Sequence, residues 1–174
     1  MSAFATQGSE QESAKKGLPE IVGRIAWALE QPHYPNGDRA ALKRWSPAQA
    51  LPLAYYRLWL QHLRQDPPPD EQAQTWMAIA WGLAFAGHNG HEPKRPLGQA
   101  LAEAGFIEAR LERLLSAPEE LRIELYQSAV RFLVAKGMAC NYTDWAAWLL
   151  TEDAEKRDAL NRRIASQYYR HLAA

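Results

Sequence analysis

Along most of the chain, apolar side chains return every third or fourth position. Leu18, Ile21, Val22, Ile25 and Leu29 fall on one helical face. The turn Pro35-Asn36-Gly37 ends that run, and Asp38 stands as a cap for a short helix through Trp45. Ser46-Pro47 repeats the signal, and a further helix is expected over residues 52–64. Asp66-Pro67-Pro68-Pro69-Asp70 then forces an extended break, because proline has no N–H to donate and keeps its predecessor out of the helical region.

Residues 71–86 hold Trp76, Met77, Ile79, Trp81, Leu83 and Phe85, with no charge after Glu71. A helix apolar on all sides belongs inside, so this segment is the expected central element. The stretch Gly87 to Pro96 is a loop, followed by short helices near 97–104 and 107–116. A long helix over 118–137 opens with Pro118 and two acids and closes at Gly137. Asp144 is placed to cap a short helix through Leu150. Asp153 begins the last helix, whose stripe is Leu160, Ile164 and Tyr168.

No segment alternates like a strand, and no repeat of domain-building length is visible. The pattern predicts an all-α protein of two small helical bundles packed together, with about eight to nine helices. Its divisions are a flexible N-terminal leader (1–17), an N-terminal helical bundle (18–87), a basic linker loop (88–96) and a C-terminal helical bundle (97–174).

Composition sharpens this reading. Seven Trp and seven Tyr are many for 174 residues; they build either a core or an interface. Lys plus Arg equals Asp plus Glu at 20 each, so any nucleic-acid surface must come from local segregation of charge. The single Cys140 excludes an internal disulfide and fits a reducing compartment. With no signal-like run in 1–17 and no long uncharged apolar stretch, a soluble cytoplasmic protein without membrane contact is expected.

Candidate chemistry is sparse. His88, His91 and Glu92 could in principle meet a metal, but a Gly-rich loop lacks the rigid spacing of a metal site, so no metal is expected. Cys140 has no local histidine to activate it and reads as a buried small residue. Glu119, Glu120 and Glu124 share a helix with Arg122 and Arg131 and read as a solvated face, not as catalytic carboxylates. No phosphate loop or hydrolase motif occurs, so neither enzymatic activity nor a cofactor is expected.

The cations say more. Between Ile21 and Arg64 stand six basic residues (Arg24, Arg39, Lys43, Arg44, Arg57, Arg64) against two acids (Glu30, Asp38), a balance of +4. Lys94 and Arg95 tip the loop, and Lys156, Arg163 and Arg170 recur every seven residues on the last helix, with Arg157 and Arg162 beside them. Such clusters either converge into a groove for a phosphate backbone or remain ordinary solvated helix faces.

The stretch Gly37-Asp38-Arg39-Ala40-Ala41-Leu42-Lys43-Arg44 resembles the G-x-R-A-x-L-R-R signature of CasB, the small subunit of the type I-E CRISPR surveillance complex Cascade. Pro96 to Leu101 is similar to that family's L-G-x-A-L step. Arg110 to Leu115 with Leu121 to Val134 is similar to its helical hairpin. Tyr142-Thr143-Asp144-Trp145 and the Arg163 to Tyr169 ending follow in the family's order. The resemblance covers about residues 20–172.

It implies a two-bundle helical fold and a non-catalytic subunit that binds nucleic acid without sequence specificity and stabilises the R-loop in antiviral defence. The implied partners are the backbone filament and large subunit of Cascade, a second copy of the chain, and the target and non-target DNA strands, with crRNA as a further candidate. The residues it points to are Arg39, Lys43 and Arg44, then Lys94 and Arg95, and behind them Arg110, Arg131, Lys156, Arg157 and Arg163. Lys43 stands where the family often has Arg, which keeps the charge but loses the bidentate fork. Arg39 has a second reading, as a structural partner of Asp66, Asp70 or Glu71. The resemblance also leaves open a purely architectural adaptor that binds neighbouring subunits.

Overall fold

The computed structural model describes the backbone of residues 3–172 and the side chains of residues 17–172; the expected leader, 1–17, lies almost wholly outside the side chains described. Among the described residues the chain folds into nine α-helices: α1 (Ala3–Glu30), α2 (Asn36–Lys43), α3 (Leu53–Arg57), α4 (Ala73–Ala86), α5 (Leu97–Glu103), α6 (Glu108–Leu115), α7 (Arg122–Ala135), α8 (Tyr142–Leu150) and α9 (Ala154–His171). There is no strand among them, so the fold is all-α, as the periodicity predicts; the sole bridge is an isolated parallel one between His91 and Cys140.

α4 is the centre. Every residue from Trp76 to Ala84 is buried, and α4 packs against α1, α2, α7 and α8. Gly82 is required there, because a Cβ would collide with the hydroxyl of Tyr126, which donates to the Ala78 carbonyl at 3.0 Å. α5 lies close against α9 at Gly98, where a Cβ would meet the Ile164 carbonyl. Six of the seven Trp residues are buried, so the aromatic richness is mostly core; Trp27, 64% exposed, is the exception.

Several local expectations give way to longer-range contacts. The helix expected over 52–64 is short, and a π-helical turn (Leu58–His62) follows α3. Ser46-Pro47 opens a turn rather than a helix. Asp38 does not cap α2; its carboxylate receives Arg57 at both oxygens, 2.8 and 3.0 Å, across 19 residues. Asp144 does not cap α8, where Asn141 accepts the Thr143 N–H. Instead Asp144 accepts the Leu97 N–H at 2.9 Å and so holds the start of α5. Asp153 does cap α9, accepting the Lys156 N–H at 3.0 Å.

Candidate nucleic-acid interface

The basic face of α2 divides within one helical turn. The guanidinium of Arg39 is fully committed. Its Nε and Nη2 donate to the Leu29 carbonyl (3.1 and 2.6 Å), Nη2 also reaches the Gln31 carbonyl (3.3 Å), and Nη1 donates to Asn36 Oδ1 (2.9 Å). These carbonyls belong to the C-terminal end of α1, where unpaired acceptors and partial negative charge gather. Arg39 therefore ties α1 to α2 and pairs with none of Asp66, Asp70 or Glu71. Lys43 and Arg44, at the C-terminal end of α2, point outward, and among the described residues no carboxylate lies within 4.0 Å of either.

Trp81 joins this end of α2 to α7. A buried indole N–H needs an acceptor, and that of Trp81 finds the Lys43 carbonyl at 3.0 Å. On the same ring, the guanidinium carbon of the exposed Arg131 stands 5.2 Å from the centroid, close enough for cation–π attraction. The Lys43 backbone carbonyl and the Arg131 guanidinium, from positions nearly ninety residues apart, thus meet at one tryptophan of the central helix. Lys43 also borders a cavity of about 210 Å³ between α1, α2, α4 and the loop after α4, with Glu30, His88 and His91 on its wall.

That loop is pinned rather than free. The Glu92 N–H donates to the Cys140 carbonyl (2.9 Å), the Cys140 N–H to Gly90 (3.2 Å), and the Asn141 N–H to Arg95 (2.9 Å). The Tyr142 N–H donates to His91 Nδ1 at 3.0 Å, so His91 is the neutral tautomer protonated at Nε2; burial lowers its pKa against the pull of Glu92, Glu30 and Asp144. Its Nδ1 lone pair is taken, and among the described residues no three His, Cys, Asp or Glu side chains gather as metal ligands. Glu30 accepts the Asn89 N–H (3.0 Å) and lies 3.8 Å from His88 Nδ1. Cys140 is fully buried, and burial pushes its thiol up, far from a reactive thiolate.

The other candidates are dispersed. Lys94 is exposed, whereas Arg95 folds back onto Met138 Sδ and the Ala139 carbonyl (both 3.4 Å) and Glu103 (3.7 Å). Arg110 is wedged between the rings of Phe106 (4.6 Å) and Phe132 (5.1 Å) and donates to Ser128 Oγ. On α9, Lys156 is exposed, Arg157 is half-buried at the α8–α9 corner, and Arg163 stands 4.0 Å from Asp144. Burial raises the pKa of Asp144, while the Leu97 N–H and Arg163 oppose it.

Sequence reasoning missed two groups. Trp81 reads only as core until its N–H partner and the cation on its face are seen. Arg122 reads as solvated, yet it is 6% exposed and lies 4.6 Å over the ring of Trp148. The unbroken apolar character of α4, with a tryptophan that must find an acceptor, was the available signal for the first; the second left none.

A sequence model described as CRISPR-associated protein Cse2 matches residues 38–169, a span that includes most of α2, all of α3 to α8 and nearly all of α9. Comparison with curated proteins and with solved structures finds no match.

Proposed function

Because the chain belongs to the CRISPR-associated Cse2 family, and so is a subunit of the Cascade complex, we propose that it holds nucleic acid within that assembly by phosphate contact, without reading sequence. The observation that carries this is that Lys43, Arg44 and Arg131 are exposed and without carboxylate partners among the described residues, with the Lys43 carbonyl and the Arg131 guanidinium both meeting Trp81. Exposed cations without carboxylate neighbours are free to meet an outside anion, and a phosphate backbone offers anions in series. No base-reading element accompanies it; the three side chains contact phosphate and leave sequence to base pairing. Lys94 extends the same chemistry from the loop. Arg39, which the resemblance also points to, is engaged within the fold, where it ties α2 to α1.

The experiment is the Lys43→Ala, Arg44→Ala double substitution in the assembled complex, followed by the lifetime of the R-loop. A lifetime shortened several-fold, with the far-ultraviolet circular dichroism unchanged, is the expected result. An unchanged lifetime leaves only the adaptor reading, which the 64% exposed Trp27 on α1 favours, since large exposed aromatics anchor protein interfaces.

A further inference from the structure

A second cavity, of about 340 Å³, opens where the N-terminal ends of α4 and α7 meet the α8–α9 corner. Each of these helices continues from a 3-10 turn, and the Ala73 and Arg122 N–H groups are spent on the Asp70 and Glu119 carbonyls, so the cavity's positive charge comes from side chains. Two arginines line it. Arg122 is 6% exposed, its Nε is enclosed with no acceptor among the described residues, and its Nη1 reaches the Thr151 carbonyl only at 3.5 Å. Its guanidinium carbon stands 4.6 Å from the centroid of the Trp148 ring. Arg157, half-buried, also lines the cavity, and its Nη2 is enclosed with no acceptor among the described residues. Enclosed charged donors are costly to leave unbonded.

Glu71, Glu119 and Glu152 also line the cavity, but they are exposed, and among the described residues none comes within 4.0 Å of either guanidinium. Enclosed cations with exposed acids define a two-signed site. A run of phosphates would meet the acids and be repelled, whereas a carboxylate with basic neighbours would satisfy both layers. A carboxylate also matches the guanidinium fork.

We propose that this cavity receives an acidic side chain of a neighbouring protein, its carboxylate seated between Arg122 and Arg157 and its flanking basic residues against Glu71, Glu119 and Glu152. The site shares no residue with the Lys43, Arg44 and Arg131 surface, so the two stand or fall separately.

The test is a titration of the full chain with the blocked tripeptide lysine–glutamate–lysine, followed through the arginine Nε–H resonances. Saturable shifts at Arg122 and Arg157 are expected, with the lysine–glutamine–lysine peptide binding at least about tenfold more weakly. Arg157→Gln, at a half-exposed position, is expected to keep the thermal midpoint and lose the shifts; Glu152→Gln keeps the enclosed cations and weakens the peptide through its flanking lysine. Absent shifts, equal binding of the glutamine peptide, or tighter binding of inorganic phosphate than of the peptide would overturn the proposal.

Discussion

Arg39 and Lys43 stand one helical turn apart on α2 and meet different surroundings. Arg39 spends its donors on the carbonyls of Leu29 and Gln31 and on Asn36. Arg39→Ala is expected to cost about 2–3 kcal/mol, read as a lowered denaturant midpoint, because several carbonyl acceptors lose a charged donor together. Arg39→Lys is expected to recover only part of that, since an ammonium cannot span the same acceptors as a planar fork. DNA affinity of the folded Arg39→Ala protein should be unchanged; a fall in affinity without a fall in stability would return Arg39 to the phosphate surface. Gly98 offers a second residue-scale check. A Cβ there meets the Ile164 carbonyl and the start of Tyr168, so Gly98→Ala is expected to lower stability by more than about 2 kcal/mol through overpacking.

At the scale of elements, the loop between α4 and α5 depends on a neutral histidine. His91 Nδ1 accepts the Tyr142 N–H, and burial lowers its pKa. The unfolded chain therefore binds more protons than the folded one just below the ordinary histidine pKa of about 6.5, and stability falls as the pH drops through that window. His62, also lowered by burial, acts in the same sense. Asp144, raised by burial, acts in the opposite sense at lower pH, near the ordinary carboxylate range. Thermal midpoints should fall between pH 7.5 and 5.5, and His91→Asn, which can still offer an acceptor, should flatten part of that slope. A slope untouched by the substitution would show that the Tyr142 contact does not titrate. Elements were the most legible feature of the sequence: the unbroken apolar run of α4, the Asp153 cap and the Gly137 stop depend on neighbours a few residues away. Asp38 and Asp144 were misread because their partners lie 19 and 47 residues distant, beyond any local periodicity. Arg122 was misread because its burial depends on where α8 turns.

For the whole molecule, neutrality conceals an uneven distribution. Arg39, Arg95 and Arg110 are spent on carbonyls, sulfur, a carboxylate and aromatic rings within the fold. Arg157 lines a separate cavity, and Lys43, Arg44 and Arg131 stay exposed with no carboxylate partner among the described residues. The sequence showed which residues were basic but not which were already engaged, since that depends on the packing of α1, α2, α4 and α7. The isolated chain should consequently bind DNA weakly, with affinity gained in the assembly. The most direct measurement is the slope of log affinity against log salt for DNA binding by the assembled complex, compared with the complex carrying Lys43→Ala, Arg44→Ala and Arg131→Ala. Three lost phosphate contacts should make the slope shallower by about 2 to 3, with circular dichroism and subunit content unchanged. A slope identical to that of the unsubstituted complex would mean that these cations touch no phosphate.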